Sequence, residues 1–397
     1  MENKKELPAG WKWVKLGEVC EIFSGSSAPQ DEKYFLNGHF PFVRVSDLGN
    51  YGKTTNMIEV RDYINELCIS ELNMIKASKG TILFPKSGAA ISTNNRAILG
   101  IDSYIVSHLA AIKPKENISD VFYIYYWLCL TDMVRYMENL GYPSLKLSTV
   151  LKIQIPLPPL SEQKRIAAKL QEMMQEIDQA RNACEKQLEA AKSLPSAYLR
   201  EVFESPEFQK WERKKLGEVC EIIKGKKPLL YEEKVYNQAL PYLTAEVIRY
   251  NLKSKWCLES NGDVVKVNRD EIIIIADGSN SGEVFIGYEG ALASTMGKLG
   301  IAKEDILTDF LYFYIKMNFR ELNVPKRGSA IPHLEKDIFY NLLIPLPPLP
   351  EQNRIAAYLK EKIDQAEKLR ASIEKELETI NFLPQSILSK AFRGEFS

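Results

Sequence analysis

No stretch of about 18 consecutive apolar residues occurs in this chain, so it holds no candidate transmembrane helix. Cysteine and histidine are scarce. The six cysteines (Cys20, Cys68, Cys129, Cys184, Cys220, Cys257) form no C-x-x-C pair, and none lies at ligand spacing from the three histidines His39, His108 and His333. A metal site is therefore not expected. Neither charge is in surplus: 52 basic residues face 52 acidic ones. Phosphate neutralisation normally leaves a basic excess. The balance argues against a stand-alone nucleic-acid binder, unless charge is segregated between faces or a partner supplies phosphate contacts. Catalytic signatures are absent too. The turn D-G-S-N-S-G at 277–282 lacks the G-K-[ST] ending of a phosphate-binding loop, no G-x-G-x-x-G follows a strand, and there is neither a nucleophile elbow nor H-E-x-x-H. The opening M-E-N-K-K-E-L-P-A-G-W-K-W has no apolar signal-peptide core, and a cytoplasmic location is expected.

What the sequence does contain is a repeat. I-P-L-P-P-L-S-E-Q-K-R-I-A-A-K-L at 155–170 returns as I-P-L-P-P-L-P-E-Q-N-R-I-A-A-Y-L at 344–359, with 13 of 16 letters kept at an offset of 189. W-K-W-V-K-L-G-E-V-C-E-I at 11–22 returns as W-E-R-K-K-L-G-E-V-C-E-I at 211–222, an offset of 200. S-L-P-S-A-Y-L-R-E-V-F at 193–203 answers F-L-P-Q-S-I-L-S-K-A-F at 382–392. The middles of the two copies show little resemblance. The chain has 397 residues, 45% apolar and 26% charged, enough for two or three globular domains. A fixed frame around different contents predicts two similar heads that read different things from one scaffold. The expected domains are a first head at 1–155, a first long helix at 156–205, a second head at 206–344 and a second long helix at 345–397.

P-L-P-P-L is too rich in proline to be helical and reads as an extended spacer. Ser161 is the expected N-cap of the first helix; in the second copy Pro350 takes that place, with Glu351 and Gln352 after it. Apolar residues then follow at helical steps: Ile166, Leu170, Met173, Ile177, Ala180 and Cys184, continued less regularly by Leu188 and Ala191. The second copy gives Ile355, Leu359, Ile363, Ala366, Leu369, Ile373, Leu377 and Ile380. With no Gly or Pro before Pro195 and Pro384, each helix is predicted to run about 30 residues, roughly 45 Å. A helix with one apolar stripe must bury it. Either the two helices pair in an antiparallel or pseudo-symmetric coiled coil, or each packs on its own head. Length and heptad-like steps favour the coiled coil.

Each middle reads as α/β. P-F-V-R-V-S-D-L (41–48) and L-P-Y-L-T-A-E-V (240–247) are matching strands. K-G-T-I-L-F-P-K-S-G (79–88) and D-E-I-I-I-I-A-D-G-S-N-S-G (270–282) are a second matching pair, each ending in a polar glycine turn. F-Y-I-Y-Y-W-L-C-L (122–130) and D-F-L-Y-F-Y-I-K-M (309–317) are expected as buried helices, their aromatics core rather than base-stacking platforms. The polar turns supply candidate DNA contacts: Lys86, Ser87, Ser92, Thr93, Asn94, Asn95 and Arg96 in the first copy, Ser279, Asn280 and Ser281 in the second. These residue types touch phosphates and base edges, although a bare turn uses Asn, Ser and Gly for backbone reasons. A second pair of loops precedes the proline phrase, with Tyr142, Ser144 and Lys146 in one copy and Lys326, Arg327, Ser329 and His333 in the other. These suit a phosphate or a solvated loop equally. Cys20 and Cys220 occupy equivalent places and are expected to be buried thiols.

Two heads, each closed by I-P-L-P-P-L-x-E-Q-x-R-I-A and a long helix, resemble the specificity subunit of a type I restriction–modification system over essentially the whole chain. The L-G-E-V-C-E-I opening of both copies resembles the usual start of that family's target-recognition domains. The resemblance implies α/β heads with two long α-helices, in a tandem-duplicated, pseudo-two-fold architecture whose antiparallel coiled coil joins two globular target-recognition domains. It implies that each head reads one half of a bipartite, asymmetric site on double-stranded DNA, while the helices fix the spacing. The helices would also dock two methyltransferase (modification) subunits, with Ile166, Leu170, Met173, Ile177, Cys184, Ile355, Leu359, Ile363, Leu369, Ile373, Leu377 and Ile380 forming the coiled-coil and docking stripe. Restriction (helicase–nuclease) subunits would join through that core. S-adenosylmethionine, ATP and Mg are implied for the partner subunits and no cofactor for this one, which would be non-catalytic and have no membrane partner. Two other readings stay open: a duplicated coiled-coil scaffold that binds protein partners without DNA readout, and an enzyme using the 277–282 turn for a nucleotide.

Overall fold

The structure, a computed structural model, describes residues 7–51, 53–137, 143–232, 234, 239–259, 264–301, 305–323 and 333–396. It divides into two compact units, one of residues 1–184 with 376–397 and one of residues 185–375. Each unit holds one head, the start of one long helix and the end of the other.

The conserved edges of each copy are conserved together because they pair. Lys12–Lys15 runs antiparallel to Gln154–Leu157, and Arg213–Lys215 runs antiparallel to Leu343–Pro345. A single helical turn follows the first strand of each pair, Leu16–Val19 and Leu216–Val219, with its Leu and Val buried. The opening phrase and the proline phrase are thus one structural piece in each head.

The middles share a topology that their letters hide. The first head has a sheet in the order Cys20–Ser24, Leu109–Pro114, Ile82–Pro85, Arg96–Leu99, Lys53–Met57. The second has Cys220–Lys224, Met296–Ile301, Ile273–Ile275, Val284–Phe285 in the corresponding order. A smaller sheet runs Asp62–Ile64, Phe40–Val43, Ser103–Ile105, Lys76–Ala77 in the first head and Trp256–Leu258, Ala239–Leu243, Gly290–Leu292, Lys266–Val267 in the second. In both, the two inner strands pair in parallel.

The central strand of each main sheet is apolar throughout because both of its faces are covered. Successive side chains point to opposite faces. Ile82 and Phe84 enter one core with the helix Val121–Leu130, and Leu83 enters the other core with Leu99 and Leu109. Ile272 and Ile274 likewise alternate with Ile273 and Ile275. The aromatic helices Val121–Leu130 and Thr308–Met317 are core elements, as expected. Asp120 caps the first by accepting from the N–H groups of Phe122 and Tyr123, both at 3.0 Å. The hydroxyl of Tyr123 donates to Pro156 O at 2.6 Å, and that of Tyr314 to Leu343 O at 2.5 Å. Both bonds tie the aromatic helix to the strand that leads into the proline phrase.

The long helices exceed the expected length. They span Leu160–Phe203 (44 residues) and Leu349–Ala391 (43 residues), each with a proline inside. At about 1.5 Å per residue that is about 65 Å. Pro195 and Pro384 do not end them. A proline removes one backbone donor and strains the preceding turn, but apolar anchors hold the chain helical beyond it: Leu199 and Phe203 enter one head's core, Leu388 and Phe392 the other's. Ser161 is not the N-cap either. The carbonyl of Pro159 accepts from Glu162 N and Gln163 N, placing Ser161 inside the first turn.

Within each unit the two long helices run antiparallel. In the first, Ile166 and Leu170 share a core with Leu388 and Phe392, while further along Arg181 Nε donates to Asn381 Oδ1 at 2.9 Å. In the second, Ile355, Leu359 and Ile363 share a core with Leu199 and Phe203. The buried stripe is narrower than the apolar letters indicate. Ile177, Cys184 and Ala191 are buried at steps of seven, as are Ala366, Ile373 and Ile380. Met173 and Leu377 are half-buried, Ala180 is exposed, and Leu369 is 48% exposed because the seam passes directly from Ala366 to Ile373.

Candidate nucleic-acid interface

The two loop pairs singled out by the sequence meet in space. The turn after the central strand bridges to the loop before the proline phrase: Ser87 pairs antiparallel with Ser144, and Asp277 with His333. The same backbone bonds build both corners. Leu145 N donates to Lys86 O at 2.8 Å and Leu334 N to Ala276 O at 2.8 Å. Lys86 N donates to His108 O and Ala276 N to Thr295 O, both at 2.9 Å. Gly88 (φ 76°) and Gly278 (φ 120°) turn the chain there through backbone conformations that side chains disfavour.

In the first head Ser87 Oγ lies 2.5 Å from His108 Nδ1. At the adjoining strand end, Ser24 Oγ donates to Ser107 O at 2.8 Å. In the second head the corner is charged. Asp277 Oδ1 accepts from His333 Nδ1 at 2.8 Å, and Asp277 Oδ2 is 2.7 Å from Lys224 Nζ. Burial pushes the Asp277 carboxyl up, but its bonds to Lys224 and His333 outweigh that and hold it below the ordinary carboxylate value. Beside it, Arg249 pairs with Glu283. With its amide turned to satisfy both partners, Asn280 accepts from Arg249 Nη1 and Nη2 at 2.7 Å.

The other candidates divide. Lys86, Ser87 and Ser144 are half-buried at the corner, and Lys146, Ser279 and His333 are exposed around it. Ser92 and Thr93 are exposed, but each hydroxyl donates back to its own short helix, to Ala89 O and Ala90 O at 2.7 Å. Asn94 adopts φ 54° and donates to Cys129 O at 3.1 Å. Arg96 is a correction, because it is fully buried. It lies opposite Phe84, its guanidinium 4.8 Å from that ring, and donates to Asn95 O at 2.8 Å and Asn94 Oδ1 at 2.6 Å. Burial pulls its pKa down to about 10. It packs the loop and presents nothing to solvent, and Asn94 and Asn95 serve it. Ser281 is buried as well and is corrected in the same sense. Tyr142, Lys326, Arg327 and Ser329 lie outside the described residues.

The 277–282 turn spends backbone donors on its own fold. A phosphate cradle needs outward backbone N–H groups, whereas Ser281 N, Gly282 N and Glu283 N donate inward to Gly278 O, Ile275 O and Asn280 O. Ser24, Lys224, His108, Asp277 and Arg249 were missed as candidates. The repeat register marks the first two: F-S-G and I-K-G follow directly on the shared C-E-I, and Ser24 and Lys224 close strands of identical length.

The fold is shared with known structures. The chain superposes on a chain from work described as the structural basis of complex assembly and conformational transition of the type I R-M system, with a TM-score of 0.79, 23% identity and coverage of 98% of this chain and 100% of that one. It also matches the HsdS subunit from Thermoanaerobacter tengcongensis, with a TM-score of 0.65, 23% identity and full coverage of both chains. Among curated relatives, the MjaVIII specificity subunit of Methanocaldococcus jannaschii is 37% identical over 188 residues, 47% of this chain and 43% of that protein. The match to the MjaIX subunit of the same organism covers 40% of that protein, so the chain spans less than half the length of either. The EcoKI specificity subunit of Escherichia coli K12 is 21% identical over 99% of this chain and 90% of its own length. The family model described as the type I restriction modification DNA specificity domain matches residues 8–190 and again 209–379, and the chain belongs to that family.

Proposed function

We propose that this chain is the sequence-reading subunit of a type I restriction–modification complex. Each head reads one half of a bipartite site on double-stranded DNA, and the antiparallel helices set the distance between the halves. The subunit is non-catalytic and cytoplasmic. It docks two methyltransferase subunits along its helices and, through them, the helicase–nuclease subunits. S-adenosylmethionine, ATP and Mg belong to those partners. The zero net charge fits this reading, because partners that close around the DNA can share the phosphate contacts.

The observation that carries it is two heads of the same strand order with unlike loop sequences on one frame. A duplication that preserves architecture and diversifies loops suits two different half-sites better than one repeated ligand. Methylome sequencing of cells carrying this chain with its methyltransferase tests it. The expected motif has two dissimilar halves around an unread spacer, and exchanging residues 23–154 for another head changes one half only. A change in both halves defeats the two-head assignment.

A further inference from the structure

At the corner of each head four chain positions converge on one backbone framework. The first ends the strand after the shared opening: Ser24 in one head, Lys224 in the other. The second opens the polar turn: Ser87 and Asp277. The third precedes the return strand: His108 and Thr295, each offering its carbonyl to the turn at 2.9 Å. The fourth lies in the loop before the proline phrase: Ser144 and His333. The backbone hydrogen bonds coincide, yet no side chain is the same in the two heads. Packing does not demand this, since the buried positions beneath stay apolar in both, Ile82 and Phe84 against Ile272 and Ile274. Two of the three histidines reach this corner, but at different positions of the framework, so the duplication did not supply them as a pair.

We propose that these four positions are the base-reading set of each head. The first head presents hydroxyls and one imidazole, the second a carboxylate held between an ammonium and an imidazole. This rests on the reading that the heads bind DNA. The second head's chemistry points to bases rather than phosphates. A carboxylate facing a phosphate is repelled, whereas it accepts well from the exocyclic amino group of cytosine or adenine in the major groove. Among the described residues each Asp277 oxygen has one partner, which leaves a lone pair for a base. Lys224 beside it offers the donors that suit guanine O6 and N7. A serine hydroxyl can donate or accept, and Ser24, whose proton goes to Ser107 O, keeps its lone pairs to accept with, so the two corners select different bases from one geometry.

The test uses the full chain assembled with its methyltransferase subunits, with methylome sequencing and binding to single-base variants of the site. Asp277→Asn turns an acceptor-only group into a mixed one while keeping its shape. It is expected to lower discrimination about tenfold or more at one base pair of the second head's half-site, leaving the other half and the spacer unchanged. Ser87→Asp should alter the first head's half-site alone. His333→Gln and Ser144→Ala, milder changes at the fourth position, are made alongside, with thermal unfolding of each complex confirming assembly. Two results overturn the proposal: both half-sites unchanged in all assembled variants, or a uniform loss of affinity across sequences with a shallower salt dependence, which marks phosphate contact. A wild-type complex that methylates no bipartite motif overturns the DNA-reading function itself.

Discussion

Gln163 Oε1 accepts a hydrogen bond from the backbone N–H of Asp120 at 3.0 Å, and the same amide donates through Nε2 to Pro158 O at 2.9 Å and Ile118 O at 3.1 Å. Gln352 repeats this in the second head, accepting from Leu307 N at 2.9 Å and donating to Pro347 O and Asp305 O at 2.8 Å. Both glutamines are fully buried. This explains the E-Q of the repeated phrase: the glutamine clamps the start of each long helix to the loop that begins the aromatic helix. Gln163→Leu leaves the N–H of Asp120 and the carbonyls of Pro158 and Ile118 without this partner, the Pro158 carbonyl in a buried place. At about 1–3 kcal/mol for a buried unsatisfied group, the expected loss is about 3 kcal/mol of unfolding free energy in the first unit, measured by urea denaturation. A loss below about 1 kcal/mol would mean that water replaces the amide.

The edges of the repeat were readable because local periodicity and proline chemistry determine them. The central strands were readable because a strand covered on both faces is apolar in every letter. The ends of the long helices were not: Pro195 and Pro384 look like stops until Phe203 and Phe392 are seen anchored in the head cores. Arg96 was misread because it follows S-T-N-N, a polar run. Strand pairing puts it across from Phe84 on the same buried face, where the second head has the apolar Val284 paired with Ile274. The Lys224–Asp277–His333 cluster depends on pairing across 56 residues and on a close approach at Gly225, whose added Cβ would sit 2.3 Å from Ala293 O. Short-range patterns carry neither.

Arg96 and Lys86 separate packing from phosphate contact. Arg96→Met removes a buried charge whose Nε has no partner among the described residues. Apolar replacement of such a group costs little when the volume is kept. The variant should remain assembled and show the wild-type dependence of DNA affinity on salt. Lys86→Ala should reduce the slope of log K against log salt by about 0.9, the increment for one phosphate on duplex DNA. Affinity titrations between low and moderate salt read both, and a shallower slope for Arg96→Met would place that side chain on the DNA.

The buried thiols give a pH signature. Desolvation pushes Cys20 from 9.0 to about 12, with Ser119 and Lys115 pulling the other way. Below pH 9 both folded and unfolded states keep the proton, so stability does not depend on this group. Between pH 9 and 12 the unfolded state releases it while the folded state retains it, so stability falls as pH rises, by about 1.4 kcal/mol per unit for each such thiol. Cys20→Ala should flatten that alkaline slope for the first unit by about this amount and leave acid behaviour unchanged. Cys220, pushed up to about 12 by burial, should act likewise in the second. Denaturant unfolding of wild type and variant at pH 8, 9 and 10 measures it, and parallel curves would show that the Cys20 thiol ionises in the folded protein.

The seven-residue seam makes the proposed ruler testable in register. Ile177, Cys184 and Ala191, and Ala366, Ile373 and Ile380, repeat in phase. Seven residues inserted into both helices, between Cys184 and Ala191 and between Ala366 and Ile373, keep the stripe facing its partner. The insertion lengthens each helix by about 10 Å, which corresponds to about three base pairs at about 3.4 Å each. The methylated motif should keep both half-sites letter for letter and gain about three unread positions between them. A four-residue insertion in both helices rotates the stripe by more than a full turn, to about 40° off the seam, and should weaken assembly before it changes the motif. A seven-residue variant that alters the half-sites while the spacer stays fixed would remove the spacing role from the helices and leave them as docking surface alone.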